Sequence, residues 1–201
     1  MMIRIGILAG AAAFVSACSM EASPGYRADE AAVEPQNLFE ALTAHCGQAF
    51  AGGVASEDER DADWAGQTLI MHVRECSEDE IRIPLHVGED RSRTWVLTRT
   101  EDGYRLKHDH RHEDGSEDVL TQYGGDSSVV FPFHIFFPAD EFSRDLFERE
   151  DIPASADNIW QMRIEGQIFT YGLDRPDRTF RAVFDLSNPV DAPPAPWGFE
   201  D

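Results

Sequence analysis

Positive charge is what this chain has least of. Seventeen Lys and Arg stand against 38 Asp and Glu, a formal charge of −21 over 201 residues. That balance excludes a phosphate-backbone grip on nucleic acid and a peripheral grip on anionic lipid. Cysteine is scarce as well, with three in all, and no Cys-x-x-Cys pair occurs, so thioredoxin-type redox chemistry has no carrier. Also missing are a Gly-x-Ser-x-Gly nucleophile elbow, a phosphate-cradling glycine loop and any internal repeat. Ser127 and Ser128 have no histidine and carboxylate at triad-like spacing. Apolar residues are not lacking. They make up 42% of the chain, with 13 Phe and 4 Trp, enough for one packed domain of ordinary size.

The first residues read as a targeting segment. Met1 to Arg4 carries one positive charge, and the apolar run from Ile5 to Ala17 is too short to span a bilayer as a helix. It closes with Val15-Ser16-Ala17-Cys18. This quartet resembles the lipobox of bacterial lipoproteins. The resemblance implies cleavage before Cys18, acylation of that cysteine, and a membrane partner held through the lipid. Ser19 in place of Asp implies sorting to the outer membrane, on its periplasmic side. Residues 1–17 are then signal peptide, and 18–35, small and acidic without apolar period, a flexible lipidated tether. Cys46 and Cys76 remain as an even pair. In an oxidising compartment they read as one disulfide worth roughly 3 kcal/mol; the alternative is two buried thiols.

From Gln36 to residue 187 the pattern is that of one β domain. Leu38, Leu42, Cys46 and Ala49 recur at helical spacing, with Pro35 before them and Gly52-Gly53 as the expected stop. Strands follow over Thr68–Arg74 and Glu80–Val87, where Pro84 suggests an edge or a bulge. Asp102-Gly103 read as a two-residue turn pairs Leu97 with His108 and Trp95 with His110. Asp114-Gly115 read the same way pairs His112 with Glu117, His110 with Val119, His108 with Thr121 and Leu106 with Tyr123. Both turns place Trp95, Leu97, Tyr104, Leu106 and the histidines on one face, with Arg105, Lys107, Asp109 and Arg111 on the other, solvated one. Val129–Phe137 reads as a strand interrupted by Pro132. Asp140 reads as the N-cap of a short helix burying Phe142 and Leu146. Ile164, Met162 and Trp160 should then face Phe169, Tyr171 and Leu173, which in turn face Phe184, Ala182 and Phe180. Residues 188–201 read as a loose Pro-rich tail. About nine antiparallel strands with short connections predict a mainly β fold, an up-and-down barrel or strongly curved sheet. Its strand spacing resembles that of lipocalin-like and other calycin barrels.

The histidines carry the chemistry. His110 and His112 sit two residues apart on one strand, with Glu117 expected opposite and His108 in support. Two imidazoles and a carboxylate suit one transition metal, Fe, Mn, Ni or Zn. The set resembles the first metal motif of cupins, His-x-His before a Glu and a Gly, matched here by His110, His112, Glu117 and Gly124. Gly103 stands one residue too far before the first His, the second cupin motif is not recognisable, and His134 is a loose stand-in for the fourth ligand. The same positions read equally well as a hydrogen-bonded polar patch at a barrel mouth. Asp109, Glu113 and Asp114 read as solvated, and His45 and His72 as structural or surface residues. The functional expectation is a binding lipoprotein with a His-lined pocket for a small ligand or metal, walled by Trp95, Leu97, Tyr104, Leu106, Thr121 and Tyr123. Its rivals are a cupin-like metal-dependent enzyme and a structural or interaction lipoprotein of the cell envelope.

Overall fold

The computed structural model describes residues 34–200. The expected signal peptide, Cys18 and nearly all of the expected tether lie outside the described residues. In chain order the elements are α1 (Leu38–Thr43), β1 (Ala49–Val54), a 3-10 turn (Glu59–Asp61) running into α2 (Ala62–Ala65), β2 (Leu69–His72), β3 (Glu75–Cys76), β4 (Glu80–Val87), β5 (Asp90–Thr100), β6 (Gly103–His110) and β7 (Tyr123–Asp126). Then come β8 (Val129–Phe131), β9 (His134–Pro138), α3 (Glu141–Arg149), a second 3-10 turn (Pro153–Asp157), β10 (Ile159–Glu165), β11 (Ile168–Arg175) and β12 (Arg178–Val190). All pairings are antiparallel in the order β7-β6-β5-β4-β2-β1-β12-β11-β10-β9-β8, with β3 added beside β4. This sheet curls into a half-barrel. It has twelve strands where nine were expected, because several are very short.

The alternation of apolar residues dictates the curl. Ile81, Ile83 and Leu85 of β4, Trp95 and Leu97 of β5, Leu106 of β6, Phe169 of β11 and Phe184 of β12 all point inward and are buried. In β10–β12 every expected pair forms: Ile164 with Phe169, Met162 with Tyr171, Trp160 with Leu173, and onward to Phe184, Ala182 and Phe180. In β5–β6 the faces are as expected but the register is displaced by two. The turn falls at Glu101-Asp102, so Leu97 pairs with Leu106 and Trp95 with His108. A slip of two moves every partner and flips no side chain.

Four expectations are corrected. The N-terminal helix stops at Thr43, and Ala49 with Gly52-Gly53 belongs to β1. The glycines are not a helix stop. A Cβ on Gly52 would lie 2.2 Å from the Val183 carbonyl, so its absence lets β1 run against β12. Val129–Phe137 is two strands, because Pro132 sits in the turn between β8 and β9, where its carbonyl accepts the Leu38 N–H at 2.6 Å. Phe142 is 52% exposed beneath the Lys107 ammonium; Leu146 and Phe147 are the buried residues of α3. Pro84 lies inside the sheet and not at its edge, at the point where the partner of β4 changes from β2 to β3, and the register of β4 against β5 shifts just after it, between Leu85 and Val87.

The ends of the half-barrel differ. α1, capped by Asn37, plugs one of them, with Phe39 stacked on Tyr104 at 5.9 Å and under the Arg99 guanidinium. A Cys46–Cys76 disulfide ties the chain after α1 to β3. Closing a loop of 30 residues, it contributes about 3.5 kcal/mol through the unfolded chain's entropy. One edge of the sheet, β7, approaches the end of β9 at Gly125, where a Cβ would lie 1.9 Å from the Pro138 carbonyl, while on Gly124 a Cβ would lie 1.9 Å from the Leu106 carbonyl of neighbouring β6. Ser143 of α3 bonds both backbone groups of Gly124. Gly124, matched in sequence to a cupin glycine, is therefore a packing device.

The C-terminal segment is not a loose tail. β12 continues to Val190, and residues 191–200 strap the outer face of β4–β6. The Trp197 N–H bonds the Arg91 carbonyl at 3.1 Å. Phe199 lies under both the Arg82 and Arg111 guanidiniums, at 5.5 and 5.4 Å. Beneath them is Asp109, 2% exposed and shared by Arg82 (2.9 Å) and Arg111 (3.1 Å). It is a buried ion pair rather than the solvated residue expected. Removing its carboxylate leaves two guanidiniums facing each other under an aromatic lid. Asp109→Ala should therefore cost at least about 2 kcal/mol, below the full figure for a buried pair because both arginines keep some contact with water. Urea denaturation of the two proteins checks this, and an unchanged midpoint would refute it.

Candidate functional site

Opposite the α1 plug the half-barrel opens into a cavity of about 400 Å³. Its floor comes from inward positions of the sheet, Trp95 on β5, His108 on β6, Trp160 on β10 and Tyr171 on β11, with Tyr123 at the start of β7. Its rim comes from connections: Arg60, Asp61 and Trp64 before β2, Asp118 and Leu120 after β6, and Ser155 and Asn158 before β10. Arg93, Arg178 and Phe180 complete the mouth from strand ends. A rigid floor with a loop-built rim is the usual division of labour in ligand sites.

One polar chain crosses the floor. His108 Nδ1 lies 3.0 Å from the Tyr123 carbonyl, which can only accept, so Nδ1 carries the proton. Nε2 is then the acceptor, and the Tyr171 hydroxyl donates to it at 2.7 Å. Trp95 stacks on the Tyr171 ring at 4.3 Å. His108 also stacks on Tyr123 at 4.6 Å. His110 sits one step nearer the mouth. Its Nε2 is 3.2 Å from the Tyr123 hydroxyl, and its backbone N–H donates to Thr121 Oγ1 at 2.8 Å.

Burial sets the electrostatics. It pushes His108 from the ordinary 6.5 down to about 3, with nearby His110 and Lys107 adding to the fall. His110 falls to about 4, through burial first and the Arg93 charge second. Burial raises Tyr123 to about 12 and Tyr171 well above its usual range. The floor is therefore uncharged at neutral pH. At the mouth the charges answer one another. Arg60 meets Asp58 at 2.6 Å and Asp177 at 3.1 Å, Arg178 meets Asp58 at 3.3 Å and also Asp61, and Arg93 meets Asp90 at 2.6 Å.

The expected metal set is not assembled. After His110 the strand pairing breaks, and Glu117 faces Arg111 in an isolated bridge instead of facing His112. That slip of one residue turns the carboxylate away from the histidines, toward the Arg111 guanidinium at 3.5 Å. His112 is more than half exposed and lies 3.9 Å from Asp118. His134 bonds Gln161 on another part of the sheet. Among the described residues, no three of His, Cys, Asp and Glu gather where one ion could be held.

Of the expected wall, the cavity takes Trp95 and Tyr123 together with His108 and His110. Leu97, Tyr104 and Leu106 are core toward the α1 plug, and Thr121 serves the backbone of His110. Sequence reasoning missed Arg93, Arg178, Asp61 and Asn158. Inward alternation already signalled Trp160, Tyr171 and Phe180; nothing in the sequence signalled which loop residues would meet over them. Compared with protein-family models, with curated proteins and with solved structures, the chain matches none.

The neutral histidines make a pH prediction. The unfolded chain protonates them near 6.5, while the fold holds them unprotonated to about 4 and about 3. The stability they contribute is complete above the unfolded value and is lost progressively as pH falls from it toward the folded values. Melting temperature should therefore drop between pH 7 and pH 4.5, before most carboxylates titrate. A His108→Gln, His110→Gln variant, less stable at pH 7, should drop less over that interval. Some slope should persist, because burial also lowers His86, to about 4. An identical slope in both proteins would refute the assignment.

Proposed function

We propose that this chain is a non-catalytic binding lipoprotein, held at the periplasmic face of an outer membrane, whose half-barrel keeps a small organic molecule in the cavity at its open end. The observation that carries the reading is the cavity itself. At about 400 Å³ it has the size of a small-molecule site, with aromatic walls and a few converging polar groups. Catalysis is not the favoured reading, because the buried histidines are committed to tyrosines and carbonyls and stay neutral. A group poised for proton transfer near pH 7 would titrate near pH 7. The cupin-like alternative loses its support with the separation of Glu117 from His110 and His112.

The lipobox at Cys18 and the disulfide expected of an oxidising compartment support the placement. Expressed in a Gram-negative host, the chain should fractionate with outer membranes, and Cys18→Ala should move it to a soluble or unprocessed form. Unchanged partitioning would count against the anchor.

Occupancy is tested by native mass spectrometry of the full chain purified from its own cells. A non-covalent organic adduct is expected. Leu120→Trp, which fills the rim of the cavity without touching the floor, should abolish it. An adduct that survives this change would place the ligand elsewhere, and no adduct at any stage of purification would remove the main support for the reading.

A further inference from the structure

Two side chains lining the cavity carry a buried polar atom with no hydrogen-bond partner: Arg178 through Nη1, which faces the Asp58 carboxylate at 3.3 Å as an ion pair, and Asn158, which faces no charge. Asn158 is 6% exposed and lines the cavity, yet its side-chain oxygen has no hydrogen-bond partner. Its backbone is fully used: its N–H donates to the Ser155 carbonyl at 3.1 Å and its carbonyl accepts from Ala139 at 2.9 Å. The residue is thus fixed in place, with a buried acceptor left over at the start of β10. An unmet buried amide oxygen destabilises the fold, so such a group calls for a partner from outside the protein. The arginines around it are already paired. Arg60, Arg93 and Arg178 each face a carboxylate. Asp61 accepts from both Ser56 and Arg178. Ser155 Oγ accepts from Arg175. Asp118 accepts the Leu120 N–H and keeps a second carboxylate oxygen at the rim.

From this arrangement we infer that the ligand is an uncharged, ring-bearing molecule with a hydroxyl or N–H donor directed at Asn158. The inference rests on the cavity being a ligand site and adds its chemical class. An anion would find no unpaired cation at the mouth and would meet the carboxylates of Asp58, Asp61, Asp90 and Asp118. A cation would leave water for an uncharged floor, and the acceptor it would meet at Asn158 is a neutral amide, which does not offset the cost of desolvation. A flat apolar ring meets Trp160, Tyr171, Phe180 and Leu173 of the cavity lining. One donor on that ring satisfies the amide.

The test is calorimetry at neutral pH on the full chain with four probes sharing one ring system: 2-naphthol, its donorless ether 2-methoxynaphthalene, 2-naphthoate and 2-naphthylmethylammonium. 2-Naphthol should bind at least about fivefold more tightly than the ether, the worth of one neutral hydrogen bond, and more tightly than either ion. Asn158→Ala, checked for an unchanged fold by circular dichroism, should erase the preference of naphthol over ether by weakening naphthol alone. Equal binding of naphthol and ether, or tighter binding of either ion, overturns the proposed class while leaving the cavity a binding site. Failure of all four probes to bind overturns both readings. A naphthol preference that survives in Asn158→Ala overturns the role of that residue.

Discussion

The hydrogen bond from Tyr171 to His108 spans the inside of the half-barrel. β6 and β11 are far apart in the order of the sheet, and their shared 2.7 Å contact is made across the interior. It works only if the imidazole is neutral with its proton on Nδ1, and the Tyr123 carbonyl enforces that tautomer. With that contact in place, Trp95 lies flat on Tyr171 and Tyr123 lies flat on His108. The space above them stays open as a cavity instead of collapsing into core. A low-dielectric interior strengthens such a bond and raises the cost of breaking it, which holds the floor rigid.

The two halves of the sheet were not equally legible in the sequence. The β10–β12 meander could be read residue by residue, because its turns are short and every inward position from Trp160 to Phe184 is apolar. In β5–β6 the faces were legible and the register was not. Asp102-Gly103 is a strong turn signal, yet the chain turns at Glu101-Asp102, and period-two alternation is blind to a shift of two. The expected site failed on a shift of one. Between Arg111 and Tyr123 there is no continuous ladder to hold the alternation, so Glu117 came to lie beside Arg111. Asn158 and Asp61 could not have been singled out, since their burial depends on loops that meet only in three dimensions.

Two of the misreadings share a cause. Asp109 and the residues after Asn188 both looked solvated because polarity and proline content were taken as measures of exposure. Each covers the other in the fold. Phe199 shields the guanidiniums that hold Asp109, and the outer face of β4–β6 gains a second apolar layer that the sheet's own alternation does not encode.

The position of β1 sets the order in which this protein can be completed. β1 is the first strand in the chain, yet it lies between β2 and β12, and β12 is the last. Strands 69–126 form one run and strands 129–190 another, and the central ladder joining them is the pairing of residues 49–54 with 182–190. A ribosome or an export channel delivering the chain from its N-terminus would therefore release β1 with one side unpaired, and hold it so until nearly the whole sequence had emerged. Pairing of such high sequence separation is slow to form. The domain is built to close late, in one step, and a truncation before Ala182 would remove every β12 residue that pairs with β1 and leave the sheet in two pieces.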